Sequence, residues 1–331
     1  MLKKVILMCS FAMLFPGQGS QNINMLSSFF QKKNNIFKKT FNEASEYIKF
    51  NLLKLIQEGP KEKLNYSEYT QPAILTSSIA IYRFWVERNG KIPSFMAGHS
   101  LGEYSALVCS NAMQFSDAVK IVSLRGKWME KLAKKKLYQT KAIIGLDQKI
   151  IENICLRFSS KNIYIASINN KNQIIISGKK SSIEKAIISF KKNGVKNIFD
   201  LNINFPVHSI LMKPIAEKLY NILKLIKIKS PEIPVINNVY AKKEHSSHLI
   251  KMALMKQMYN TVRWSETIDL IKLNKVFIML EIGPNKILTN LNRNQNNITS
   301  FSTNNLKNFL ISFKIINKNY EKKKNCISHR C

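Results

Sequence analysis

The pentapeptide Gly98-His99-Ser100-Leu101-Gly102 constrains the fold of this chain more than any other stretch. It matches the G-x-S-x-G nucleophile-elbow pattern, in which a serine occupies a sharp turn between a strand and a helix. An apolar, strand-like segment precedes it and a helix-like segment follows it. Glycines are expected at both ends because a β-carbon there would crowd the neighbouring strand and helix. The pattern favours a nucleophilic Ser100, and a glycine-rich turn without chemistry is the alternative.

Gln18 lies in a second glycine-rich turn at a predicted strand end. Residues 5–15 are apolar and predict the first buried strand; their basic start imitates a secretory signal, but no small-residue cleavage site follows. Gly17 and Gly19 let the backbone N–H of Gln18 turn toward a neighbouring site. An oxyanion hole needs two donors, and Leu101, directly after the nucleophile, is the other. The loop is either half of an oxyanion hole or a turn without a ligand.

Arg125 is predicted on the inward face of a helix that runs from Ser116 to about Lys131. A buried guanidinium without an anionic partner is costly. Two kinds of partner are open. One is an internal Asp or Glu, and the other is a carboxylate on the substrate, which the guanidinium would clamp with two hydrogen bonds.

The chain contains five histidines, and elimination favours His208 as the base for Ser100. His99 points away from the serine on an elbow, and the remaining three lie in a polar loop or near the C-terminus. His208 follows a predicted strand and a turn-making proline. The order serine before histidine is that of α/β-hydrolase-like folds. A structural histidine at this position is the alternative.

The order of the predicted elements indicates an α/β protein with an inserted subdomain. Residues 1–135 and 206–300 are predicted to form an α/β-hydrolase-like large subdomain with a parallel sheet and the nucleophile elbow. Residues 136–205 follow the order β-α-β-β-α-β, which predicts a ferredoxin-like small subdomain. Residues 301–331 are polar and rich in Lys and Asn, which predicts a basic C-terminal tail that is peripheral or disordered.

The formal net charge of +32 would suit a nucleic-acid-binding protein. However, the surplus is nearly all lysine and is spread along the chain with abundant Asn and Ile, a pattern that AT-rich codon usage explains. No nucleic-acid-binding motif supports the nucleic-acid hypothesis. No run reaches the roughly 18 apolar residues of a membrane helix. We therefore expect neither nucleic acid nor a membrane as partner.

The five cysteines show no disulfide-framework spacing, which predicts a cytoplasmic protein. Cys326, His329 and Cys331 crowd the C-terminus, but three possible ligands on a tail do not make a zinc site. No metal site is expected.

Four motifs occur together in one order, namely Phe-Pro-Gly-Gln-Gly-Ser-Gln, Gly-His-Ser-Leu-Gly-Glu-Tyr, Leu-Arg-Gly-Lys-Trp-Met and Glu-Ile-Gly-Pro. With them, the chain resembles the bacterial malonyl-CoA:acyl carrier protein transacylases, an acyltransferase family of fatty acid synthesis. The resemblance extends from about Met13 to about Leu291. The segment 136–142 lacks the glycines and the methionine usual in that family, so one pocket wall departs from its pattern.

The resemblance implies transfer of malonyl from malonyl-CoA to the phosphopantetheine thiol of acyl carrier protein through a malonyl-serine. Ser100 would be the nucleophile and His208 the base, while the N–H groups of Gln18 and Leu101 would form the oxyanion hole. The substrate-binding residues would be Arg125, which would clamp the malonyl carboxylate, and Gln257, which matches a family glutamine at the active site.

The implied partners are malonyl-CoA and an acidic acyl carrier protein, which a basic surface would attract by long-range steering. No cofactor is implied, and a monomer is expected. A serine hydrolase or thioesterase on acyl thioesters is the alternative, because the same elbow serves both reactions. Arg125 on the inner face and the lack of an acidic triad motif favour transfer.

Overall fold

The computed structural model describes residues 10–31, 35–134, 136–158, 162–293, 295 and 297–327, with side chains to residue 318. The strands are β1 Phe11–Phe15, β2 Phe95–Gly98, β3 Tyr138–Ile144, β4 Ile163–Asn170, β5 Gln173–Lys179, β6 Asn197–Asp200, β7 Val235–Ile236, β8 Ile278–Glu281 and β9 Thr299–Ser302. The helices that precede the small subdomain are α1 Ser27–Phe30, α2 Ile36–Ile48, α3 Leu52–Glu58, α4 Lys61–Leu64, α5 Ser67–Glu87, α6 Gly102–Cys109 and α7 Phe115–Ala133. The later helices are α8 Gln148–Arg157, α9 Lys180–Lys192, α10 Lys213–Leu225, α11 Ser247–Gln257, α12 Trp264–Leu273, α13 Ile287–Asn292 and α14 Leu306–Ile327.

The larger sheet has the strand order β7-β2-β1-β8-β9, and all its pairings are parallel. The central strands β1 and β2 are continuous apolar runs whose positions are all buried, as expected for parallel strands covered on both faces, whereas the edge strand β9 is polar and partly exposed. In β1, Leu14 pairs with Ala97 on one side and Glu281 on the other. The carboxyl ends of β1, β2 and β8 therefore meet at one edge, where the loops carrying Gln18 and Ser100 begin.

The smaller sheet is antiparallel, with the order β4-β5-β3-β6. Taken in chain order its strands run second, third, first and fourth, which is the ferredoxin-like arrangement. Helices α8 and α9 cover one face, where Ile143, Ile176 and Phe190 form a separate core. Ala142 and Ile175 belong to the core of the larger unit instead. The predicted fold class, a parallel α/β unit with a ferredoxin-like insertion, is confirmed.

Backbone hydrogen bonds join the two sheets' units near β4. Val262 donates to Ala166, and Ile168 donates to Val262, at 2.9 and 3.0 Å. The predicted boundaries at residues 136 and 206 remain our proposal for dividing the chain; every strand of the small sheet lies between them.

The prediction of a peripheral tail from residue 301 is wrong for the part whose side chains are described. Strand β9 extends the parallel sheet, and helix α14 packs back on the large unit. Phe309 is 0% exposed and contacts Trp85, while Ser312 and Ile316 continue the same buried stripe. The spacing i, i+3, i+7 marks a helix face, but the frequent lysine and asparagine residues of the segment 301–331 hid it. Residues 328–331, with His329 and Cys331, lie outside the described residues, as does the side chain of Cys326.

The first strand begins at Phe11 in the structure, whereas the prediction began at Val5. Residues 1–9 lie outside the described part of the chain, so the earlier portion of that prediction is not tested. Among the helices that the structure describes, none is both long and apolar enough to cross a membrane.

Candidate active site

Ser100 occupies a strained turn between β2 and α6. Its φ is +51°, in the left-handed region that non-glycine residues enter only at a cost. A β-carbon on Gly98 would lie 1.8 Å from the backbone carbon of Gly102, and one on Gly102 would lie 2.0 Å from the Phe15 carbonyl oxygen. Backbone atoms make both contacts, so the turn requires glycine at both ends. The predicted elbow geometry is present.

Gly102→Ala is expected to lower the free energy of unfolding by about 3 kcal/mol, since an overpacked backbone contact cannot relax as a side chain would. The elbow should also shift, so acylation of Ser100 should slow. Gly194→Ala is the matched control: its β-carbon meets nothing within 4 Å, and only its φ of +79° opposes the change. Urea unfolding of both variants measures the difference. Equal losses would contradict the steric explanation.

His208 lies within hydrogen-bond distance of the Ser100 hydroxyl. Its Nε2 lies 2.9 Å from Ser100 Oγ, and its Nδ1 lies 2.7 Å from the backbone oxygen of Gln257. A carbonyl can only accept, so Nδ1 carries the proton and Nε2 presents its lone pair to the serine hydroxyl. His99, the histidine next to the nucleophile, is directed elsewhere, with its Nε2 2.9 Å from Asn169 Oδ1. The structure therefore brings together the two residues that elimination selected.

The pKa of His208 is lowered from 6.5 to about 3, mainly by burial and also by the Arg125 and His99 charges, while the hydrogen bond to the Gln257 carbonyl raises it. A depressed pKa keeps the imidazole neutral, its base form, as the pH falls below the usual value of 6.5. We expect kcat/KM for the acyl donor to stay level between about pH 8 and pH 5. A pH-rate profile of the intact enzyme measures this. A decline that follows a pKa near 6.5 would contradict the assignment.

Arg125 lies beside the nucleophile and is 2% exposed. Its Nη1 donates to Gln71 Oε1 at 2.8 Å, its Nε contacts Met258 Sδ at 3.0 Å, and its Nη2 lies 3.4 Å from Ser100 Oγ. Within the described ranges it forms no ion pair with an Asp or Glu. Of the two partners left open, the internal salt bridge is thus absent there. Neutral groups hold one side of the guanidinium, and the side with Nη2 faces the serine.

The loop after β1 packs against the elbow. The His99 N–H donates to the Phe15 carbonyl at 2.9 Å, and a β-carbon on Gly17 would lie 2.7 Å from the His99 oxygen. The Gln18 side chain is hydrogen-bonded to Ser67: its Nε2 donates to Ser67 Oγ at 3.0 Å. In the part of the chain that is described, the N–H groups of Gln18 and Leu101 have no acceptor. Both N–H groups are therefore free to donate to a ligand atom.

Gln257 acts through its backbone as well as its side chain. Besides the carbonyl that holds His208, its Nε2 donates to the Ser100 carbonyl at 3.0 Å and to Glu103 Oε2 at 2.8 Å. The family resemblance implied that this glutamine binds substrate. In the structure its hydrogen bonds are to Ser100, His208 and the buried Glu103.

Sequence reasoning missed Asn238, which bridges the two sides of the elbow. Its Oδ1 accepts from the Ser100 N–H at 2.6 Å, and its Nδ2 donates to the Gly98 carbonyl at 2.7 Å. It also missed Gln71 and Met258, the neutral partners of Arg125. A signal for Asn238 exists: two asparagines directly follow β7, the strand that pairs with β2. Polar residues at the carboxyl end of a parallel strand lie where active sites form.

A strained serine on an elbow, a histidine base beside it and two free backbone donors define an α/β enzyme of acyl transfer with a serine nucleophile. The comparisons agree with this class. The chain belongs to the acyl transferase domain family, whose model matches residues 12–305. The resemblance to malonyl-CoA:acyl carrier protein transacylases is confirmed by the relatives.

Two curated relatives carry the name malonyl CoA-acyl carrier protein transacylase. That of Buchnera aphidicola subsp. Schizaphis graminum is 61% identical over 309 residues, covering 93% of this chain and 100% of the relative. That of Escherichia coli K12 is 41% identical over 287 residues, covering 86% of this chain and 93% of the relative.

Two solved structures are similarly close. The malonyl CoA-acyl carrier protein transacylase of Coxiella burnetii has a TM-score of 0.90 at 36% identity, covering 93% of this chain and 98% of that one. The malonyl-transacylase PlMCAT, solved in complex with a type II acyl-carrier protein, has a TM-score of 0.89 at 40% identity, covering 92% and 99%.

Proposed function

We propose that this chain transfers malonyl from malonyl-CoA to the phosphopantetheine thiol of acyl carrier protein, through a malonyl ester on Ser100, and so supplies malonyl-carrier protein for fatty acid synthesis. The observation that carries the proposal is the position of Arg125. Its Nη2 lies 3.4 Å from Ser100 Oγ, and within the described residues it forms no ion pair, although the buried Glu103 is near enough to interact with its charge. A malonyl group bound to Ser100 has a free carboxylate to supply there. The names of the relatives support the same reaction.

In the first half-reaction, His208 Nε2 takes the hydroxyl proton while Ser100 Oγ attacks the thioester carbonyl. The developing oxyanion is received by the N–H groups of Gln18 and Leu101, aided by the N-terminus of α6. The C–S bond then breaks. The coenzyme A sulfur leaves with the proton that His208 returns, and malonyl remains on Oγ.

In the second half-reaction, the thiol of the carrier's phosphopantetheine loses its proton to His208 and attacks the same carbonyl. The oxyanion forms again in the same place, and the bond to Ser100 Oγ breaks as His208 returns the proton to it. Arg125 holds the malonyl carboxylate throughout. It therefore fixes the carbonyl in one position for both attacks.

Hydrolysis of acyl thioesters is less well supported. The Nδ1 of His208 bonds to the neutral Gln257 carbonyl, not to an Asp or Glu carboxylate as in a hydrolase triad. A non-catalytic nucleic-acid-binding role would explain neither the strained turn at Ser100 nor the hydrogen bond between Ser100 and His208.

The proposal includes an acidic acyl carrier protein as partner, which the net charge of +32 would attract. The transacylase PlMCAT was solved in complex with a type II PKS acyl-carrier protein. We also propose that the reaction needs no cofactor, since the nucleophile, the base and the donors are all protein groups. We further propose that the protein is a monomer. We also propose that it is cytoplasmic, because Cys109 and Cys155 are free, buried thiols that suit a reducing compartment.

Trapping the acyl-enzyme tests the proposal. The protein is mixed with malonyl-CoA, quenched in acid, and analysed by intact mass and peptide mapping. We expect one malonyl adduct on the peptide containing Ser100 and a matching burst of free coenzyme A. An adduct on another residue, or turnover without any adduct, would contradict it.

A further inference from the structure

Two side-chain amides hold the Ser100 backbone from both sides. Asn238 Oδ1 accepts the Ser100 N–H at 2.6 Å, and Gln257 Nε2 donates to the Ser100 carbonyl at 3.0 Å. This backbone has a φ of +51°, in the left-handed region that is unfavourable for an L-residue. The two hydrogen bonds oppose relaxation of the turn, which would carry Oγ away from His208.

Both amides converge on one buried carboxylate. Glu103 Oε2 accepts the Asn238 backbone N–H at 3.0 Å and Gln257 Nε2 at 2.8 Å. Glu103 is 2% exposed, while Asn238 and Gln257 are fully buried, so water does not compete for these bonds. Glu103 also lies in the first turn of α6, where a negative charge is favoured.

The same network reaches the base. The Gln257 carbonyl accepts the Nδ1–H of His208 at 2.7 Å, which sets the tautomer and the ring orientation. The side chain of Gln257 is bound to Glu103, so the carboxylate supports the nucleophile through Asn238 and the base through Gln257. Nothing in the mechanism above requires Glu103 to contact the substrate.

We propose that Glu103 is a positioning residue of this enzyme: it fixes Asn238 and Gln257, which hold Ser100 in its strained turn and aim His208 at Oγ. The inference rests on the proposed function, because acylation of Ser100 is what the positioning serves. The pKa of Glu103 is raised to about 7, because the effect of burial outweighs the lowering by its two hydrogen bonds and by Arg125.

The hydrogen bonds to Glu103 predict different results for different replacements of this residue. Both hydrogen bonds end on a single oxygen, Oε2, which the amide oxygen of glutamine can replace. Glu103→Gln should therefore retain positioning, whereas Glu103→Ala should lose it. Asn238→Ala should lose the hold on the Ser100 N–H by a separate route.

Glu281 is a matched control. It is a buried glutamate whose pKa burial also raises to about 7. It accepts hydrogen bonds from Leu288 and Thr289 at the start of α13 and contacts neither Ser100 nor His208. Glu281→Ala should thus match the loss of stability in Glu103→Ala without its kinetic effect.

The experiment measures Ser100 reactivity in two ways: the burst of coenzyme A from malonyl-CoA, and sulfonylation by phenylmethylsulfonyl fluoride, with thermal unfolding in parallel. For Glu103→Ala and Asn238→Ala we expect both rates to fall about a hundredfold, the cost of a misplaced catalytic group, with little change in KM for malonyl-CoA. Glu103→Gln and Glu281→Ala should keep both rates close to those of the wild type.

Wild-type rates in folded Glu103→Ala, or in Asn238→Ala should the first variant not fold, would overturn the proposal. So would a loss in Glu103→Gln or Glu281→Ala equal to that in Glu103→Ala. The sulfonyl probe separates this question from the proposed function. A wild type that is sulfonylated at Ser100 but gives no coenzyme A burst refutes malonyl transfer, and the variants' sulfonylation rates still decide the role of Glu103.

Discussion

Replacing Ser100 with alanine is expected to lower kcat for malonyl transfer by about 10⁴-fold or more, since no other group can accept the acyl chain. The acyl-enzyme should disappear with it. The fold should survive, because Oγ is bonded only within the site and alanine adopts the same turn at similar cost. Steady-state transfer and intact mass after malonyl-CoA treatment measure both effects.

Ser77→Ala is the matched control for this substitution. Ser77 is a buried serine whose Oγ donates within α5 to the Ala73 carbonyl at 2.7 Å. It should keep the transfer rate and the adduct. A Ser100→Ala protein that still formed the malonyl adduct would show that the nucleophile is another residue.

Arg125→Ala is expected to lower kcat/KM for malonyl-CoA by about a thousandfold, because a buried charge pair loses one partner. The rate with acetyl-CoA should change far less, since acetyl has no carboxylate. The preference for malonyl over acetyl should therefore fall steeply. Competition between the two thioesters measures it directly.

Two further variants sharpen the test of Arg125. Arg125→Lys keeps the charge without the planar fork, so it should recover only part of the preference. Arg83→Ala removes a half-buried arginine of α5 that pairs with Glu43 at 2.6 Å, and it should leave the preference unchanged. An unaltered preference in Arg125→Ala would refute the clamp.

The elbow could be predicted from the sequence because its chemistry is local. A β-carbon on Gly98 or on Gly102 would lie only 1.8 or 2.0 Å from backbone atoms, so both positions require glycine. This requirement is visible in a motif of five consecutive residues. His208 was within reach for a different reason. Only a few histidines compete for one role, so elimination succeeds without any distance.

Contacts between distant segments could not be predicted in the same way. Arg125 could be placed on an inward face, but its neutral partners Gln71 and Met258 come from other helices. Asn238 reaches Ser100 across 138 residues of chain. Their pairing depends on how β7 and β2 adjoin, which no short pattern encodes.

The C-terminal segment shows how composition can mislead. Lysine and asparagine are frequent in residues 301–331, although Phe309 and Ile316 are buried against the large unit. A periodic reading would have found the helix where a compositional one predicted a tail. In a chain with 52 Lys and Arg residues, average polarity is a weak guide to burial.

The fate of an isolated acyl-enzyme distinguishes transfer of malonyl to the carrier protein from hydrolysis. Wild-type protein is loaded with labelled malonyl-CoA, freed of excess donor, and divided among buffer, apo carrier protein and holo carrier protein. We expect the label to leave Ser100 for the phosphopantetheine thiol of the holo carrier protein. In buffer and with the apo carrier protein, the label should remain on the enzyme. Release of label as free malonate at one rate in all three samples would contradict transfer and identify the enzyme as a hydrolase.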